Sequence, residues 1–173
     1  MNDQRAIHDR ELHWSWGGLM RQADKVDRIA LSSSLPGTWR LKSRIDVTSS
    51  GERRVEPSLG ADPIAVVFYD RSGHFAAQFM RRDRSAAVPD GPGGALNNSR
   101  AQGGYDAYFG TYTVDDAHGT VTQHLTGALS QENVGLVLTR AMEVQGDRLV
   151  IQLPTTSSDG TAVTRTLTWK RVG

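Results

Sequence analysis

From Thr38 to Thr48 apolar and polar side chains alternate strictly. Trp39, Leu41, Ser43, Ile45 and Val47 fall on one face. Thr38, Arg40, Lys42, Arg44 and Asp46 fall on the other. A period of two with charge on one side predicts a strand with one buried and one wet face. Pro36-Gly37 just before it is a turn signal that starts the strand. Similar segments follow at 64–70, 74–81, 105–114, 119–129, 134–144, 147–153 and 162–172, which makes eight candidates. Most junctions are short and rich in turn residues, such as Asp70-Arg71-Ser72-Gly73 and Gln145-Gly146-Asp147. Short junctions suit antiparallel hairpins, since parallel crossovers need a dozen or more residues. The expected fold is therefore all-β, an eight-stranded up-and-down antiparallel barrel able to hold one small ligand.

Two connections are long. Residues 49–63 carry Gly51, Pro57, Gly60 and Pro63, with room for a short edge segment over Arg53 to Glu56. Residues 82–104 are rich in Gly, Pro and Ala, a length and composition that fit either a lid over the barrel mouth or disorder. Residues 1–34 have a different texture. Leu12, Trp16, Leu19, Ala23, Val26 and Ala30 recur at helical spacing, which predicts a helix over 19–30 ended by Ser32-Ser33-Ser34. The domain plan is thus an N-terminal helical arm over 1–34 and a barrel over 35–173. Trp14 and Trp16 are large residues for an arm. They are expected to pack on the body, or to form a homodimer contact or a lid.

Composition adds bounds. A net charge of +1 gives no general argument for nucleic acid or an anionic membrane. The absence of cysteine removes disulfides, zinc–thiolate sites and thiol nucleophiles. No apolar run approaches the ~20 residues of a spanning helix, and no basic n-region precedes an apolar h-region, so a soluble cytoplasmic protein is expected. Arg81, Arg82 and Arg84 lack interleaved aromatics and read as a solvated loop.

Several segments resemble the bacterial and fungal lipocalin-like domain family of the calycin superfamily. They are Pro36-Gly37-Thr38-Trp39-Arg40-Leu41, Gly73 to Arg81, Tyr105-Asp106-Ala107-Tyr108-Phe109-Gly110-Thr111-Tyr112, Gly119 to His124, and the closing Leu167-Thr168-Trp169-Lys170-Arg171-Val172. The resemblance spans about 35–173. It implies a basic side chain, Arg171, stacked on Trp39 at the closed end of the barrel. It also implies an interior ligand site. Gln123 stands where family members often carry the first of two histidines, and Asn97-Asn98 with Gly103-Gly104 weaken the short helix usual before the Tyr-Phe-Gly strand.

Candidate chemistry then lies in polar residues on inward faces. Arg140 interrupts the stripe of Leu136, Leu138, Met142 and Val144. An inward arginine needs a carboxylate or an anionic ligand, and its planar fork suits a carboxylate, enolate or phenolate. Tyr108 and Tyr112 share the inward face of strand 105–114 and offer hydroxyl donors. Gln78 is a candidate polar probe in strand 74–81, and Phe68 an apolar contact in strand 64–70. His124 shares a face with Thr120, Thr122 and Thr126 that reads as solvated. A bulge turning it inward would make it a general-base candidate. The expected catalytic set is Arg140, Tyr108 and His124. The expected ligand contacts are Tyr112, Gln78, Tyr108, Arg140, Leu138, Met142 and Phe68. No metal or cofactor is expected. Three functions remain open: binding of a small apolar or amphiphilic molecule; a cofactor-free isomerase or cyclase of secondary metabolism working in the same cavity; or a structural protein that dimerises through residues 12–30.

Overall fold

A computed structural model describes residues 29–172 except Leu96. After a short helix α1 (Leu31–Ser34), the strands are β1 (Gly37–Val47), β2 (Arg53–Arg54), β3 (Ile64–Tyr69), β4 (His74–Met80), β5 (Tyr105–Asp115), β6 (Thr120–Ala128), β7 (Val137–Gln145), β8 (Arg148–Thr156) and β9 (Ala162–Arg171). Each strand from β3 to β9 pairs antiparallel with the next, β1 pairs with β3, and β9 returns to β1. Eight strands thus close into an up-and-down barrel. β2 adds only a two-residue rung beside the far half of β1. All eight expected strands are present within a few residues of their expected bounds.

The hairpins form where side chains hold the turn. Asp70 Oδ1 accepts the backbone N–H groups of Ser72 and His74 at 2.9 and 2.8 Å, bending the β3–β4 turn. The β5–β6 turn is held likewise by Asp115, which accepts from the backbone of Ala117 and His118.

One end of the barrel is shut. Trp39 is fully buried and donates through Nε1 to the Leu35 carbonyl at 2.9 Å. The Arg171 guanidinium lies 4.0 Å from the Trp39 ring centroid and donates to the carbonyls of Pro36 and Ser34. Such a stack contributes about 0.5–2 kcal/mol. Gly37 makes room for it. Its φ is +146°, and a Cβ there would lie 2.3 Å from Arg171 Nη1.

The helix expected over 19–30 lies outside the described residues, apart from Ile29 and Ala30, which are not helical. The serines expected to end it instead belong to α1. Ser32 bonds Asp116 through both its N–H and its hydroxyl, and Leu31 and Leu35 are buried. Among the described residues no helix is long and apolar enough to cross a membrane.

Two bulges break the period of two. In β1, Leu41 pairs with Trp169 and Ser43 with Thr168, leaving Lys42 without an opposite residue. The extra residue shifts the alternation, so Arg44 and Asp46 enter the barrel and the expected wet face becomes the inner one. In β6, Gly110 pairs with Leu125 and Phe109 with Gly127, leaving Thr126 as the extra residue.

The barrel core is built on aromatic contacts: Tyr69–Tyr112 at 5.0 Å, Tyr69–Phe75 at 6.0 Å, Phe75–Tyr108 at 6.1 Å, Phe79–Tyr108 at 6.4 Å and Phe79–Trp169 at 5.7 Å. Facing Phe75, Ala77 and Phe79 inward sends Gln78 out, where its Oε1 accepts from the Tyr105 hydroxyl at 3.0 Å. Phe68 also points outward and is 42% exposed, because Ala65, Val67 and Tyr69 hold the inner face of β3. The interior contact expected of Gln78 and Phe68 is therefore corrected. So is the inward turn of His124: the β6 bulge falls after it, at Thr126, and His124 stays exposed between Thr111 and Val137.

Candidate functional site

The other end of the barrel is roofed rather than open. Residues 81–95 and 97–104 fold back across it. Gly91 and Ala101 join through a backbone bond of 2.8 Å, and Asp90 Oδ1 accepts the Gly103 N–H at 2.9 Å. Asn133 then pins Arg100 from the β6–β7 connection, accepting its N–H at 2.9 Å and donating to its carbonyl at 3.0 Å. Asn97, at φ 51°, reaches the backbone of Thr139 on β7. β7 pairs with β8 only over Ala141–Gln145, so Asn97 fills the edge that β8 leaves free. The long glycine-rich connection is a roof held by side-chain amides.

Beneath it lies a cavity of about 50 Å³. At ~10–15 Å³ per water-sized site, that is room for a few non-hydrogen atoms. Phe79, Tyr108, Trp169 and Tyr69 form its aromatic wall, and Pro92, Ser99 and Ala101 close it from the roof. Its polar wall comes from five elements: Arg44 (β1), Asp106 (β5), Gln123 (β6), Arg140 (β7) and Arg165 (β9). Glu56 and Ser58 join them from the β2–β3 connection.

These groups are unequally satisfied. Arg165 grips Asp46 bidentately, Nε to Oδ1 at 2.8 Å and Nη2 to Oδ2 at 2.7 Å, while Arg44 Nη2 stands 3.7 Å from the same carboxylate. Burial, and then the neighbouring Arg165, lower the Arg44 pKa to about 10. Arg140 is only 5% exposed, donates to the Asn97 carbonyl, and has no carboxylate within ion-pair distance among the described residues. Burial lowers its pKa too.

Asp106 is 3% exposed, and one carboxylate oxygen accepts the Ser99 hydroxyl at 2.6 Å. Burial outweighs that bond and raises the carboxyl to about 6. Tyr108 is held above the usual phenol range by burial, although Arg140 favours its ionised form. Gln123 donates to the Tyr69 hydroxyl at 2.8 Å, and that hydroxyl faces Met142 Sδ at 3.9 Å.

Of the residues singled out from the sequence, Arg140 and Tyr108 meet in this cavity. Leu138 and Met142 are buried beside it without lining it. Tyr112 is inside the barrel but spends its hydroxyl on the Asp70 carbonyl at 2.6 Å, at the β3–β4 turn. Gln78, Phe68 and His124 are outside. The alternation puts Arg44 and Asp46 on the wet face of the first strand, and the sequence reading does not single out Asp106 or Arg165. Arg165 continues the stripe of Leu167 and Trp169, and Asp106 that of Tyr108, so both carried a readable signal. The β1 charges did not, because a bulge of one residue hid them. Among the described residues no cluster of three or more His, Asp or Glu is placed to hold a metal.

The comparison with curated proteins finds no match. Residues 36–172 match the lipocalin-like domain, which takes in every strand of the barrel and both ends of the cavity, and the chain therefore belongs to the lipocalin-like domain family.

Proposed function

We propose that the protein binds a small amphiphilic molecule inside the barrel, its oxyanion or carbonyl head among Arg140, Arg44 and Asp106 and its apolar part against Tyr108, Phe79 and Trp169. One observation carries this reading. Arg44 Nη1, Glu56 Oε2, Asp106 Oδ1, Gln123 Oε1 and Trp169 Nε1 are buried without a hydrogen-bond partner among the described residues, and all five residues line the same cavity. A buried polar atom left without a partner costs about 1–3 kcal/mol, so a set that converges on one hollow and finds no partner in the protein suits polar atoms from outside. A ligand larger than a few atoms enters by lifting the roof at Asn97.

Native mass spectrometry of freshly purified protein tests the reading, together with amide chemical shifts on adding short carboxylates, phenols and ketones. The expected result is a bound small mass or saturable shifts at the cavity, both reduced in Arg140→Ala. A bare polypeptide mass and unmoved shifts with all three classes reject it.

A second reading is a cofactor-independent isomerase or cyclase. What favours it is Asp106, whose carboxyl is brought by burial to about 6 and so exchanges protons near neutral pH beside Arg140. Arg140 and Tyr108 would polarise a substrate carbonyl there. His124 has no part in it.

A further inference from the structure

We propose that the cavity takes up a carboxylate together with one proton, and that Asp106 holds that proton. The inference rests on the ligand-binding reading above. Its starting point is a charge count around one small hollow. Three guanidinium groups face it or back it: Arg44 from β1, Arg140 from β7 and Arg165 from β9. Three carboxylates balance them: Asp46 from β1, Glu56 from the β2–β3 connection and Asp106 from β5. The roof contributes Ser99, which is neutral, and β3 and β5 contribute the phenols of Tyr69 and Tyr108. A monoanion entering this balanced interior leaves one negative charge uncompensated at low dielectric, a costly state. A proton entering with it restores the balance.

Geometry then selects the acceptor. Asp46 is held by both arms of Arg165. Glu56 accepts the N–H and the hydroxyl of Ser58 on one oxygen. Neither Glu56 nor Asp106 has a guanidinium within ion-pair distance among the described residues, and each leaves one oxygen without a partner. Asp106 has the weaker hold on its charge, a single hydroxyl, Ser99, on Oδ2 against the two Ser58 bonds of Glu56. The other Asp106 oxygen has no partner and belongs to the cavity wall. In the bound state Oδ1 carries the proton and donates it in a hydrogen bond to one ligand oxygen, while Arg140 donates to the other. The proton comes from solvent and no covalent bond to the ligand forms or breaks. The carboxyl that burial already lifts toward neutrality is the one the anion would lift further.

The test uses acetate and propionate as carboxylate probes and propionamide as the neutral counterpart. Their affinities are measured by NMR titration from pH 5.5 to 8, and the proton count by calorimetry in buffers of different ionisation enthalpy. The expected result is uptake of one proton near pH 7.5 and a carboxylate affinity that weakens about tenfold per pH unit above pH 7. Propionamide should show no such slope. In Asp106→Asn the carboxylate slope and the proton uptake should vanish. Should that variant not fold, Ser99→Ala serves. It removes a bond that favours ionised Asp106, so the midpoint should move to higher pH. Carboxylate binding that is flat with pH in the wild type, or a slope that survives in Asp106→Asn, overturns this inference and leaves ligand binding standing. Failure of all three probes to bind wild type and Asp106→Asn at every pH removes both readings.

Discussion

Asn97 and Thr139 exchange two hydrogen bonds, Thr139 N–H to Asn97 Oδ1 at 2.9 Å and Asn97 Nδ2–H to the Thr139 carbonyl at 2.6 Å. A side-chain amide here does the work of a neighbouring strand, at the stretch of β7 that β8 does not reach. The roof is latched to the barrel wall at this point, and the Asn97 carbonyl also receives Arg140.

Asn97→Ala should loosen that latch without unfolding the barrel. Two neutral hydrogen bonds and a left-handed backbone position are at stake, together about 1–3 kcal/mol of local stability. Amide hydrogen exchange should report it. The Thr139 N–H is expected to exchange faster while the Trp39 and Leu125 amides stay protected; equal protection of Thr139 in the variant would show that the amide latch contributes nothing.

Asp46→Asn should be severely destabilising. The substitution leaves Arg165 and Arg44 buried with no carboxylate in contact, and breaking one partner of a buried pair costs roughly 3–5 kcal/mol. Urea denaturation measures it. Replacing Asp46 and Arg165 together by apolar residues of similar size should cost less than Asp46→Asn alone.

Stability should also depend on pH through Asp106. Its carboxyl is raised from 3.8 to about 6 in the fold. Between those values the folded state binds more protons than the unfolded one, so this group's effect is to lower stability as pH rises from 4 to 6. Two pH units correspond to about 3 kcal/mol. Denaturation of wild type and Asp106→Asn across pH 4–7 should therefore show the variant gaining on the wild type over that interval and holding a constant lead above it. A constant difference throughout would contradict the shift.

Gly37→Ala should dislodge Arg171 from Trp39. The new methyl would fall on the guanidinium, and φ +146° is strained for alanine. A loss of about 2–4 kcal/mol is expected, measured by thermal or chemical denaturation. Arg171→Ala should recover part of the loss when added to Gly37→Ala, since the steric conflict goes while the strain stays.

The barrel was legible because its strands carry their faces openly. In β7, apolar Leu138 and Met142 flank Arg140 at even spacing, and all three are buried as the alternation requires. Gln123 likewise falls between Val121 and Leu125 on the inner face of β6. In β4 both faces offer apolar residues, and only the tighter packing of Phe75 and Phe79 against Tyr108 and Trp169 decides between them. The candidate site was half legible. Arg140 and Tyr108 sit on unbroken stripes, whereas Arg44 and Asp46 lie past Lys42, where the count of two slips. The roof was legible only as one of two alternatives, a lid or disorder, and for another reason. Its order comes from Asn97, Asp90 and Asn133 bonding to distant backbone, and such contacts leave no local period.

Lys42 has a consequence for lineage as well as for shape. Strip it out and Leu41 would adjoin Ser43 with Arg44 still opposite Leu167 and Asp46 opposite Arg165, so the shortened strand would be the regular one. Aligning this chain with a sister barrel lacking the extra residue calls for a one-position gap at Lys42. Placed at Arg44 or further along β1, that gap would pair an interior charge of one protein with a solvent-facing position of the other.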